Sequence, residues 1–110
     1  MDKNAITILI IEDEPDISEL IEYNLTQSGY SIIVSNNGEK GIETTRKHLP
    51  DLILLDLMLP GINGIDVCRI LKNDKDTSEV FIIMLTALGQ EEDIVKGLET
   101  GADDLSLIHI

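Results

Sequence analysis

Four oxygen-bearing side chains stand where apolar runs stop. Glu12 and Asp13 follow the run 5–11, Asp56 closes the run 52–55, and Thr86 follows the run 80–85. Carboxylates crowded together repel one another unless a cation sits between them. Mg²⁺ suits such a group, because it takes hard oxygen ligands, commonly one or two carboxylates with waters and a phosphate. A carboxylate can also act as a nucleophile towards phosphorus and form an aspartyl phosphate. A hydroxyl such as that of Thr86 can hydrogen-bond a phosphoryl oxygen. The chemistry within reach of these residues is therefore cation-assisted phosphoryl transfer to Asp56. Acids at strand ends are also common simply because loops there are solvated, so the argument depends on whether the four stand together.

That is decided by the elements that carry them. The run 5–11 is short and rich in Ile, as in a strand buried on both faces. Pro15 suits the first turn of a helix, Ile17, Leu20, Ile21 and Leu25 recur at helical spacing, and Gly29 suits the C-terminal cap. Residues 31–35 read as a second strand, and Asn36, Asn37 and Gly38 as a turn. Residues 39–48 read as a helix weakened by Gly41, Thr44 and Thr45. Residues 52–55 form a third strand. Pro60, Gly61 and Gly64 mark a loop, and 65–73 a helix with Val67, Cys68 and Leu71 on one side. A fourth strand spans 80–85, and a fourth helix, 91–100, is capped by Gly101. Alternating strands and helices predict an open α/β fold with a doubly wound parallel sheet. In the order 2-1-3-4-5, strands one, three and four are neighbours, and ligands bind beyond the strands' carboxyl ends. Asp13, Asp56 and Thr86 then stand side by side.

Composition narrows the functions. The 110 residues suit one domain, and a net charge of −13 with eight scattered Lys and Arg argues against direct nucleic-acid binding. Cys68 is the single cysteine, which excludes an internal disulfide, and His48 and His109 lack cysteine neighbours for a zinc site. The apolar run at 8–11 is too short to span a bilayer and runs straight into Glu12, Asp13 and Glu14, so the expectation is a cytoplasmic protein with no membrane segment.

Several segments resemble the receiver domain of bacterial two-component response regulators. They are Ile-Leu-Ile-Ile-Glu-Asp-Glu at 8–14, Asp-Leu-Ile-Leu-Leu-Asp-Leu-Met-Leu-Pro-Gly at 51–61, Met-Leu-Thr-Ala at 84–87 and Leu-Glu-Thr-Gly-Ala-Asp-Asp at 98–104. The set covers nearly the whole chain in order, and the Met-Leu-Pro-Gly stretch most resembles receivers that control winged-helix transcription factors. The resemblance implies a flavodoxin-like fold and a phosphorylation-controlled signalling switch that is not an enzyme in the turnover sense. It implies that Asp56 accepts a phosphoryl group from a sensor histidine kinase. Mg²⁺ would be the cofactor, held by the carboxylates of Asp13 and Asp56 and by the backbone carbonyl of Met58, with Glu12 supporting it through water. Thr86 would report phosphorylation, and Ala87 would leave room beside it. An output domain or effector outside this chain would receive the signal.

The resemblance stops after Asp104. Leu105 stands where the family has an aromatic residue, Ile108 where it has a phosphate-contacting lysine, and His109 where it has a proline. The last strand is thus expected to be aberrant and the last helix missing, so that residues 1–104 form an incomplete receiver domain and 105–110 an aberrant tail. That tail is either foreign sequence, resembling translated adapter sequence, or the end of a natural degenerate receiver. A bare sheet face is expected to loosen the fold. Two other functions remain open: a phosphorylation-independent scaffold, and a small Mg²⁺-dependent phosphatase. The phosphatase is disfavoured because Met58 stands where such enzymes carry a second acid.

Overall fold

The computed structural model describes residues 6–87 and the strand at 104–108, with the backbone alone at 86, 87 and 104–108. The order is β1 (Thr7–Ile11), α1 (Pro15–Gln27), β2 (Ser31–Ser35), α2 (Gly38–His48), β3 (Leu52–Asp56), α3 (Gly64–Asn73), β4 (Phe81–Ala87) and β5 (Asp104–Ile108). All pairings are parallel, in the order β2-β1-β3-β4-β5, as the alternation of runs predicts. The expected helix at 91–100 with Gly101, and His109, lie outside the described residues. Residues 104–108 pair with β4 as one strand across the 104/105 boundary.

Four sequence expectations need correction. Gly38 opens α2 rather than closing the turn before it. β4 continues through Thr86 and Ala87 rather than stopping before them, because β5 pairs with both. Gly64 is the first residue of α3 and not part of the preceding loop, since Asn63 supplies the cap. Leu20 is 63% exposed and not on the covered face of α1. That helix packs on β1 and β2 at one side of the sheet. Ile17, Ile21 and Leu25 point inward but stay half-buried, and Leu20 lies at the margin of their stripe.

The two sheet faces are unequally covered. Leu9, Ile11, Ile53, Leu55, Ile82 and Met84 project to the side of α2 and α3 and are fully buried with Val67, Cys68 and Leu71. On the opposite face Ile8 and Ile10 are buried, but Leu52, Leu54 and Ile83 are half-buried and Phe81 is 46% exposed. Apolar surface left wet forfeits about 25 cal/mol per Å². Among the described residues, the fully buried apolar side chains are concentrated on the α2/α3 side.

Helix α2 forms despite weak propensity because its polar and small residues are used by neighbours. Asn37 caps it by accepting from the Lys40 N–H at 2.8 Å. The buried Thr45 hydroxyl donates to the Gly41 carbonyl at 2.7 Å, and Ser35 Oγ lies 3.2 Å from Thr44 Oγ1. The helix ends at Leu49, whose N–H reaches the Thr45 carbonyl at 2.8 Å with φ at +45°. A left-handed backbone costs an L-residue roughly 1–2 kcal/mol, while glycine adds unfolded-state entropy. Leu49 is 55% exposed and gives up little packing. Leu49→Gly should therefore raise stability by roughly 0.5–1 kcal/mol, read as a higher urea midpoint at unchanged slope; a lower midpoint would show that the strain is not carried there.

Candidate metal and phosphoacceptor site

Three parallel strands deliver the site to one edge. Glu12 and Asp13 follow β1 directly, and Asp56 is the last residue of β3. β1 and β3 are neighbours in register from Ile8 with Leu52 to Ile11 with Leu55, so both chains reach the edge together. One carboxylate oxygen from each of Glu12, Asp13 and Asp56 lies within 4.8 Å of the others. Leu85 is the register partner of Asp56, and the Leu57 N–H donates to the Leu85 carbonyl at 3.0 Å. Thr86 is thus one residue further towards the same edge, with Ala87 next to it. Their side chains are outside what is described.

Each acid is held differently. The Asp56 carboxylate accepts from the backbone N–H of Met58 at 3.0 Å, a short turn that fixes its direction. Met58 is 57% exposed, so its side chain has no packing role that would explain its position. Asp13 borders a cleft of about 450 Å³ shared with Leu57, Met58, Leu59, Pro60, Asn63 and Ile65. Glu12 is 3% exposed, its backbone N–H donates to the Ser35 carbonyl at 3.0 Å, and its Oε2 has no hydrogen-bond partner among the described residues. Burial, then the neighbouring Asp56 carboxyl, Asp13 and Glu14, push the Glu12 carboxyl up to about 9. A buried, unpartnered carboxylate oxygen facing two further acids is the arrangement a hard cation relieves. Glu12, Asp13 and Asp56 come together as the sequence predicts. Asn63 and Gly64 were not singled out for the site, although Asn63 caps α3 from beside it, accepting from the Asp66 N–H at 2.9 Å. An Asn-Gly pair before an apolar helical stripe is the signal that could have marked them.

A parallel sheet with an acidic trio at its carboxyl edge defines a flavodoxin-like domain with a candidate cation site. Comparison with known proteins gives the family. The profile of the response regulator receiver domain matches residues 8–106. The chain is 46% identical over 97 residues to the DNA-binding dual master transcriptional regulator RpaA of Synechocystis, covering 88% of this chain and 40% of that protein. It is 46% identical over 104 residues to the DNA-binding response regulator MtrA of Mycolicibacterium smegmatis, covering 94% of this chain and 44% of that protein. Among solved structures, the receiver domain of sensor histidine kinase PA1611 from Pseudomonas aeruginosa, with a magnesium ion coordinated in its active-site cleft, superposes with a TM-score of 0.86. Its identity to this chain is 28%, over 93% of this chain and 84% of that one. The chain belongs to the response regulator receiver domain family. It spans less than half the length of these curated relatives. No helix among the described residues is long and apolar enough to cross a membrane.

Proposed function

We propose that this chain is a Mg²⁺-dependent phosphoacceptor switch, with Asp56 as the acceptor and a sensor histidine kinase as the donor. The carrying observation is the acidic trio, in which Glu12 Oε2 is buried without a partner and Asp56 is aimed by the Met58 N–H. Asp13 and Asp56 would hold the ion by carboxylates, with the Met58 carbonyl and, through water, Glu12 assisting. When bound, the ion supplies charge neutralisation for the incoming phosphoryl group. Asp56 supplies the nucleophilic oxygen: an O–P bond forms as the P–N bond of the donor phosphohistidine breaks. By the family resemblance Thr86, on the neighbouring strand, would hydrogen-bond a phosphoryl oxygen, and Ala87 would leave room beside it. The chain is a substrate of the kinase and no turnover enzyme in its own right. Its output is transcriptional, through a region outside this chain, and DNA contact belongs to that region and not to this acidic domain.

The phosphorylation-independent scaffold has one observation in its favour. Ile108, paired with Ala87, stands where the family carries the lysine. A scaffold without phosphoryl chemistry would keep partner binding in Asp56→Asn. The phosphatase reading lacks a second acid, because position 58 is an exposed Met.

The site assignment is tested by magnesium titration followed by amide shifts. Asp13→Asn should weaken Mg²⁺ binding by about tenfold or more, as loss of a charged ligand to a hard cation does. Glu19→Gln, on the exposed side of α1, should leave it within about twofold. Equal binding by the parent chain and both variants would remove Asp13 from the site.

A further inference from the structure

Gly64 lies where α3 begins, immediately behind the acceptor. Its φ is not in the left-handed region, unlike those of Gly29 and Gly61, so backbone freedom does not explain a glycine there. Space does. A Cβ built on Gly64 would collide with the Asp56 carbonyl oxygen, and would lie 2.8 Å from Leu57 Cα and 3.0 Å from the Asp56 carbonyl carbon. All three are backbone atoms, which cannot swing aside. A Cβ on Gly41, by contrast, would meet only the side chain of Ile11.

We propose that Gly64 is a positioning residue for the acceptor: its bare Cα lets α3 start against the Asp56–Leu57 peptide and so sets where the Asp56 carboxylate stands. The Gly64 N–H donates to the Leu57 carbonyl at 3.1 Å, while the Leu57 N–H is tied to Leu85 in β4 at 3.0 Å. The Met58 N–H holds the Asp56 carboxylate at 3.0 Å. The contact at Gly64 therefore sits within one residue of both groups that fix the acceptor's direction. A methyl group at 64 must displace something. Helix α3 is locked by Val67, Cys68 and Leu71, all fully buried. β3 is held as far as Asp56 by pairing with β4, and as far as Leu55 by pairing with β1. What must give is therefore the Asp56–Leu57 peptide at its tie to Leu85, or the Met58 turn just beyond it, and either shift moves the carboxylate or the amide that aims it.

This inference rests on the phosphoacceptor reading above, and its test separates the two. Parent chain, Gly64→Ala and Val80→Ala are compared by ¹⁵N amide spectra at a temperature where far-ultraviolet circular dichroism reports each folded. Val80 is buried immediately before β4, at the opposite end of the sheet, and controls for general destabilisation. Gly64→Ala should weaken Mg²⁺ binding by about tenfold, as loss of an outer support to a ligand does, and should shift the Met58 amide resonance in the absence of metal. Val80→Ala should do neither. Equal Mg²⁺ affinity in the two variants, or an unmoved Met58 amide, would overturn the positioning role while leaving the site itself intact. A parent chain that binds no Mg²⁺ would count against the phosphoacceptor reading, and the Met58 amide would still decide the positioning role. Should Gly64→Ala fail to fold, the parent chain supplies the measurement: Mg²⁺ should slow hydrogen exchange at Gly64 together with Met58, and a change at Met58 alone would overturn the coupling.

Discussion

In Asp56→Asn, labelling by acetyl phosphate and Mg²⁺ is expected to fall to background. The parent chain should gain one phosphoryl group, labile to base, on the peptide containing 52–60. Asparagine keeps the size and the hydrogen bond from Met58 but has no nucleophilic carboxylate oxygen, so the step has no acceptor. Asp56→Glu tests geometry separately. It keeps the charge but carries the oxygen one methylene further from a backbone fixed by β4, and a misplacement of about 1 Å can cost on the order of 100-fold. Labelling should therefore be slow in Asp56→Glu and absent in Asp56→Asn. A stoichiometric, base-stable label that persists in Asp56→Asn would identify another acceptor, and the assignment to Asp56 would fail.

The sequence discloses the strand order and the acid trio for the same physical reason. Apolar runs of four or five residues ending in an acid mark both a buried parallel strand and its carboxyl end. Given the alternation of strands and helices, Asp13 and Asp56 had to meet. What stayed illegible is set by tertiary contact. Leu20 fits the helical period of α1 as well as Ile17 does, and only the partial cover on that side of the sheet leaves it in solvent. Gly64 reads locally as a loop former, because nothing in its neighbours says that the Asp56 carbonyl occupies the place of its side chain. Thr86 reads as the residue after a strand, whereas pairing with β5 extends the strand through it. The weak helix α2 is rescued by the contact of its Thr44 with Ser35 and by packing on Ile11, which is distant in sequence. Local propensity cannot register such contacts.

The buried carboxyl of Glu12 should make magnesium binding depend on pH. Its folded pKa of about 9 stands above the ordinary 4.5 because burial and then the Asp56 and Asp13 carboxyls disfavour its charge. The sign follows from proton counting. Between about pH 4.5 and 9 the folded metal-free chain holds this proton and the unfolded chain does not. The contribution to stability is therefore complete below about pH 4.5 and is lost as pH rises towards about 9. Glu12→Gln has no proton to lose, so its stability relative to the parent should climb through that window. One pKa step is worth about 1.36 kcal/mol, and water entry and relaxation reduce the full shift, so a gain on the order of 2–3 kcal/mol at pH 8 is expected. A cation placed among these acids favours the ionised carboxylate and must displace the proton. In the parent chain the Mg²⁺ association constant should therefore rise with pH, approaching about tenfold per unit between pH 5 and 8, the slope of a single released proton. In Glu12→Gln the profile should flatten, leaving only the shallow dependence of the other acids. Calorimetric titrations at three pH values, each in two buffers of different ionisation enthalpy, count the released proton directly. Equal slopes and equal proton release in parent and variant would show that Glu12 is charged before the ion arrives, and that the two acids beside it do not hold it neutral.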